Sequence, residues 1–268
     1  MSNATSPLVL HIPHSSTVIP AAVRPTLLLT EAEVQQELLR MTDAYTDELF
    51  RSDGMTSVRY PVSRIVVDPE RFESDADEVM SKVGMGVVYT KTSDGRSLRR
   101  IPTPSDREAL LAAYYRPHHA ALTDAVASAV RQHGRCLVVD CHSFPSFPLP
   151  YELDQRPDRP DICIGTDPFH TPIGLAAEVI ECFQLHGYTI ALNRPFAGAL
   201  VPATVYRRDA NVAALMIEVN RALYMDEQTG AKSSRFDEIR TAVAQLLERL
   251  TQHCRYMSLV EGQDQAYV

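Results

Sequence analysis

Apolar residues along the chain fall into short runs separated by longer amphipathic stretches, the pattern of strands alternating with helices. The run LVLHI after Pro7 is closed by Pro13 and predicts a buried strand. CLVVDC (136–141) and AALMIEV (213–219) predict two more, joined by the shorter DICIG (161–165) and YTIAL (188–192). Between them, Val34, Leu38, Met41, Tyr45 and Leu49 recur at three- or four-residue steps and predict a helix over 31–51. Further helices are expected over 105–133, where Gly134 is a stop signal, over 172–186, and over 233–254 with Ile239, Val243, Leu246, Leu247 and Leu250 inward. SVRYPVSRIVVD (57–68) is rich in strand formers but interrupted by Pro61. Residues 73–105 show little periodicity, and so long a stretch without structure is usually functional or mobile. No repeat or linker breaks the chain. The expectation is one α/β domain over 1–268, a mostly parallel mixed sheet flanked by helices on both faces.

Composition narrows the class. Hydrophobic residues make up 45% and charged residues 22%, which excludes disorder, collagen-like repeats and a coiled coil. With 26 Lys+Arg against 34 Asp+Glu, the net charge of −8 argues against nucleic acid as a partner. Five widely spaced cysteines without a CxxC pair read as buried thiols of a reducing compartment. The N-terminus lacks a signal-peptide pattern and no window is long and apolar enough for a membrane helix, so a cytoplasmic location is expected.

Polar residues of chemical interest gather where the predicted strands end, the place where open α/β sheets bind ligands. His14 follows the first strand, His142 follows CLVVDC, and Glu218 closes AALMIEV. Two imidazoles and a carboxylate brought to one cleft suit a catalytic zinc, which takes three N/O ligands and keeps one position open. A lone histidine after a strand is commonly just a hydrogen-bonded loop residue; two at equivalent exits make the metal reading competitive. Asp140 lies two residues before His142 and can share its face, as an orienting carboxylate or as a simple strand-end partner of loop amides. His11 reads as structural, and His118 and His119, inside a predicted helix, as surface or packing residues. Cys141 points away from His142, and no GxSxG elbow exists, so a thiol or serine nucleophile is disfavoured. Arg64 and Arg71 flank the run RIVVDPER: they can clamp a carboxylate and stabilise an oxyanion, or pair with Asp68 or Glu70. For Glu218 the alternative to catalysis is an ion pair with Arg221 or Arg207.

Taken together, seven segments in order resemble the N-formylglutamate amidohydrolase family. They are HIPHSS (11–16), TDAYTDELF (42–50), SRIVVDPERF (63–72), DCHSFPS (140–146), DICIGTD (161–167), NRPFAGALVP (193–202) and ALMIEVNRALYMDE (214–227). The family is similar in architecture to zinc carboxypeptidases and to the aspartoacylase and succinylglutamate desuccinylase group. The resemblance implies a zinc-dependent hydrolysis of the amide bond of a small acidic N-acyl amino acid. His14 and His142 match the histidine ligands. The carboxypeptidase pattern has a Glu three residues after its first histidine, but Thr17 stands there, and Asp43 is the candidate for the missing carboxylate. Glu218 matches the general base, Arg64 the carbonyl-polarising arginine and Arg71 the carboxylate clamp, with Asn193 or Arg194 as further substrate contacts. DPERF resembles the DxNRxF segment of the deacylase relatives with Glu70 in place of Asn, so either Glu70 turns away from the substrate or the preference differs. Ser16 replaces a common Gly, and NRPFAGA lacks a common Gly-Gly. The resemblance leaves two further functions open: a deacylase or carboxypeptidase for another N-acyl amino acid or peptide, and a non-catalytic acidic-ligand binding domain.

Overall fold

The computed structural model describes residues 6–264. Six strands form one mixed sheet: β1 (Leu8–Ile12), β2 (Thr56–Arg59), β3 (Cys136–Phe144), β4 (Ile162–Gly165), β5 (Ile190–Leu192) and β6 (Val212–Asn220). Their order is β2-β1-β3-β6-β4-β5. All neighbours are parallel except β4, which runs antiparallel to β6. The mixed, mostly parallel sheet expected from the sequence is present, with helices on both faces.

Alternation along the central strands builds two different faces. Leu8, Leu10 and Ile12 of β1, with Leu137, Val139 and Cys141 of β3 and Leu215, Ile217 and Val219 of β6, meet the helices α5 (Ile173–Leu185) and α6 (Phe236–Asp264). There Val179, Phe183, Ile239, Val243, Leu246 and Leu250 complete the largest core. The other face carries Val9, Val138 and Ala214 against Leu122, Val126 and Ala129 of α4 (Arg116–His133). Further along the same face, and at the same alternation, come His11, Asp140, His142 and Glu218. This face changes from apolar to ionisable along its length, and the change places the site.

Several boundaries differ from the sequence expectation. The helix over 31–51 is two, α1 (Glu31–Met41) and α2 (Thr46–Leu49). Thr30 and Glu33 cap α1 reciprocally, and the chain breaks where Asp43 N–H donates to His14 O at 3.0 Å. Of the β-rich segment 57–68 only β2 is a strand. Residues 60–68 form turns and irregular backbone that bury Tyr60, Val62, Ile65, Val66 and Val67 without a ladder. The expected helix over 105–133 starts earlier, as α3 (Pro104–Leu110) capped by Thr103, and passes through a π turn (Leu111–Tyr115) into α4, ending at Gly134 with φ 74°. The aperiodic stretch 73–105 is not loose: Met80, Met85, Tyr89 and Leu98 pack against Val34, Leu38 and Met41 of α1. No described helix is long and apolar enough to cross a membrane.

Candidate active site

β3 is longer than its apolar run, so His142 lies within the strand rather than after it. Its Cα partner on β6 is Glu218, and the parallel register also sets His11 beside Asp140. Four ionisable residues of three strands thereby share one face, while His14 and Asp43 arrive from the loops beyond β1 and α1.

His14, Asp43 and His142 are all buried and offer one ligand atom each within 4.8 Å of one another. His142 Nδ1 is 3.1 Å and His14 Nδ1 is 3.7 Å from Asp43 Oδ2. Ligands held at ~2.0–2.1 Å from a shared tetrahedral ion sit roughly 3.3 Å apart, a separation these two distances bracket. His14 Nδ1 is moreover a buried atom with no hydrogen-bond partner, as is Glu218 Oε2 on β6. Orphaned buried polar atoms are costly, and a cation with its water is a chemistry that satisfies both. The donor set, two imidazoles and a carboxylate, fits a divalent ion of the zinc type.

The opposite edges of the two rings are fixed by carboxylates. His14 Nε2 meets Asp68 Oδ1 at 2.8 Å, and His142 Nε2 meets Asp140 Oδ1 at 3.1 Å and Glu70 Oε2 at 3.2 Å. Facing only acceptors, each Nε2 carries a proton, a tautomer that would leave each Nδ1 a lone pair for a cation. Asp140 shares the face of His142, as the two-residue spacing predicts. Asp68 is a counterpart that the sequence reading treated only as an ion-pair partner. It also accepts from Arg64 Nη2 at 2.8 Å and from the Tyr89 hydroxyl. Burial works against its charge, but Arg64 and His14 outweigh burial and hold its carboxyl well below the usual carboxylate range.

Asp43 is anchored from its other oxygen. Arg221 Nη2 donates to Oδ1 at 2.9 Å, and the Ser143 amide donates to Oδ2 at 3.2 Å. Burial opposes ionisation, yet the contacts from His14 and His142 and the Arg221 charge hold the carboxyl well below its ordinary value. Arg221 is, by sequence, one of two candidate partners of Glu218. Instead its guanidinium goes to Asp43, Ser143 and the Arg40 carbonyl, and Glu218 keeps a free oxygen. Burial raises the Glu218 carboxyl to about 8, with His142 and Arg221 opposing the rise and Asp43 and Glu70 adding to it. A carboxyl near neutrality is suited to taking and returning a proton.

The arginines divide. Arg64 is spent largely on Asp68, with Nη1 3.9 Å from Asp43 Oδ1. Arg71 Nε lies 3.9 Å from Asp68 Oδ2 and is buried without a hydrogen-bond partner. Asn193 and Arg194 are turned elsewhere: Asn193 brackets Thr166 through its side-chain amide, and Arg194 donates to Asp158 at 3.1 Å. The structure does not bring them to the cluster. His11, read from sequence as structural, and His118, read as surface or packing, are both buried and bonded to one another at 2.8 Å. The β1–β3 register sets His11 beside Asp140. A cavity of about 500 Å3 is lined by Ser15, Leu38, Thr42, Tyr45, Asp47 and Thr229, and by none of His14, Asp43, His142 and Glu218.

A sequence model of the N-formylglutamate amidohydrolase family matches residues 6–225. A Pseudomonas aeruginosa protein, N-formylglutamate deformylase, is 27% identical over 260 residues, covering 91% of this chain and 92% of its own. The crystal structure of N-formylglutamate amidohydrolase from Ralstonia eutropha is similar with a TM-score of 0.83 at 26% identity, covering 95% of this chain and 96% of the other. A gene product from Agrobacterium tumefaciens shares the fold, with a TM-score of 0.62 at 20% identity over 92% of each chain.

Proposed function

Because the chain belongs to the N-formylglutamate amidohydrolase family, we propose that it hydrolyses the amide of an N-acyl amino acid, N-formyl-L-glutamate giving formate and L-glutamate. The observation that carries this reading is the pair of orphaned buried atoms, His14 Nδ1 and Glu218 Oε2, on the two residues that flank His142: its ring is 5.1 Å from that of His14 and its Cα partner is Glu218. His14, Asp43 and His142 would hold the divalent cation, which we take to be zinc. When bound, zinc supplies Lewis acidity and brings the pKa of a water towards about 7.

The chain's own groups do the rest. Glu218 accepts the proton of the attacking water on its free carboxylate oxygen. The same carboxyl then delivers that proton to the amine nitrogen as the C–N bond breaks, so the base is regenerated for the next turnover. Arg71 receives the substrate carboxylate, where a bidentate pair fixes the scissile amide against Glu218. Arg64, already within reach of the ligand Asp43, adds positive charge where the tetrahedral oxyanion develops. The roles that sequence assigned to Asn193 and Arg194 would require these side chains to leave Thr166 and Asp158. Glu70, the departure that suggested another substrate, is 3.2 Å from His142 and thus within the imidazole cluster. It supplies no argument for a different acyl amino acid.

The test is release of formate from N-formyl-L-glutamate by zinc-loaded protein, beside a panel of other N-acyl amino acids and peptides. Release that disappears with chelator and in His142→Ala is expected. Tight binding of the substrate without turnover would favour a binding domain instead, and preference for another member of the panel would move the substrate.

A further inference from the structure

Glu70 stands next to the arginine offered to substrate, where a negative charge would repel a substrate carboxylate. Its side chain goes the other way. Oε2 is 3.2 Å from His142 Nε2 and Oε1 is 3.4 Å from His11 Nδ1. Asp140 Oδ1 reaches the same two nitrogens, at 3.1 Å and 2.8 Å. Asp140 is thus hydrogen-bonded to both imidazoles and Glu70 stands at ion-pair distance from the same two nitrogens, in a largely buried pocket where Asp140 Oδ2 takes the Leu200 amide at 3.2 Å. Behind them His11 Nε2 meets His118 Nε2 at 2.8 Å, and Tyr60 packs edge-on against His118.

Charge explains why this arrangement holds together. Burial works against protonation of His11, but Asp140 and Glu70 outweigh burial and bring it to about 9. His118, buried and facing that charge, falls to about 3 and serves as the neutral acceptor for His11 Nε2–H. One imidazolium therefore offsets one of the two carboxylates, and the other is left to work on His142. The Glu70 backbone N–H also donates to Asp68 Oδ1 at 2.9 Å, the same oxygen that holds His14 Nε2. Residue 70 consequently touches the supports of both histidines.

We propose that Glu70 is a positioning residue for the cation site: with Asp140 and His11 it grips His142 Nε2–H, aims Nδ1 at Asp43 and strengthens that nitrogen as a ligand. A ligating histidine gives its other ring N–H to a carboxylate, a carbonyl or a water; His142 Nε2 has two carboxylates within 3.2 Å. The inference rests on the metal reading of His14, Asp43 and His142.

His11, Glu70 and Asp140 also form a group whose ligand atoms lie within 4.8 Å of one another, which raises the alternative of a second cation. The 2.8 Å between His11 Nδ1 and Asp140 Oδ1 favours a hydrogen bond, because two ligands of one tetrahedral ion stand roughly 3.3 Å apart.

Zinc binding to the full chain, stripped of metal and titrated against a chromophoric chelator, separates these readings. Wild type is expected to take one equivalent. Glu70→Ala should bind it ~10–100-fold more weakly, the range found when such supporting partners are removed. Glu70→Gln, which keeps the shape and one acceptor oxygen, should fall between and serves if Glu70→Ala does not fold. At saturating zinc, the KM for N-formylglutamate should stay within about twofold of wild type. Unchanged zinc affinity in both variants, or a large rise in KM with unchanged affinity, would overturn the proposal. Two equivalents in wild type falling to one on substitution would replace it with a second cation site. No zinc binding by wild type would overturn the metal reading itself, a failure visible before any variant is made.

Discussion

The Nε2 of His14 donates to Asp68 Oδ1 at 2.8 Å, and this bond leaves the ring's other nitrogen buried, unpartnered and aimed at Asp43. Asp68→Asn keeps the size of the side chain but lets an amide face the ring. Zinc affinity should drop about 10–100-fold. The comparison variant Asp94→Asn, at an exposed carboxylate bound to Arg96, should leave it unchanged. Competition titration reads both.

Glu218→Gln removes the proton acceptor without changing shape. A general base contributes ~10²–10⁴ in rate, so kcat should fall by that factor while zinc binding persists. Initial rates on zinc-loaded protein check this. Activity near wild type would transfer the base role to another group.

Arg71→Ala should act mainly on substrate. Loss of a charge-assisted carboxylate contact typically costs about 1.5–3 kcal/mol, so kcat/KM should fall ~10–200-fold. The same variant should discriminate poorly between N-formylglutamate and its amidated analogue, which lacks the carboxylate that Arg71 is proposed to hold.

His11 gives the fold a pH dependence of definite sign. Its folded pKa, about 9, is above the ordinary 6.5, so the folded protein holds a proton that the unfolded chain releases. The stabilisation is complete below 6.5 and is lost as pH rises through 9, at most about 1.4 kcal/mol per pH unit in between. Asp140, Glu70 and His118 are the groups facing the ring. Denaturant unfolding of metal-free protein should show this decline, and His11→Gln should flatten it.

All five cysteines are buried. Burial raises the thiols of Cys136, Cys141, Cys163, Cys182 and Cys254 above their ordinary range. A thiol reagent at pH 8 should label native protein slowly and denatured protein at five equivalents. Rapid labelling of native protein would place a reactive thiol where the fold shows none.

The sequence by itself determined the alternation of strands and helices, the mixed sheet, and the approach of His14, Asp140, His142 and Glu218 to strand ends. Those features follow from local periods of two and 3.6 residues, and from the rule that ligands gather at the strands' carboxyl ends. The same local logic misjudged residues 60–68, whose strand formers are buried by turns rather than by a ladder, because β propensity reports packing more than pairing. Only the tertiary structure decided which partners the polar groups take. Arg221 reaches Asp43 across 178 residues of chain instead of pairing with Glu218 three residues before it, and Glu218 keeps an unpartnered oxygen. Glu70 and Arg71 are adjacent in sequence, yet one turns to the imidazoles and the other keeps an unpartnered guanidinium nitrogen. Sequence pattern states which groups are available. Strand register and loop path set the few ångströms that determine which charges meet, and a buried charge leaves little freedom to meet another.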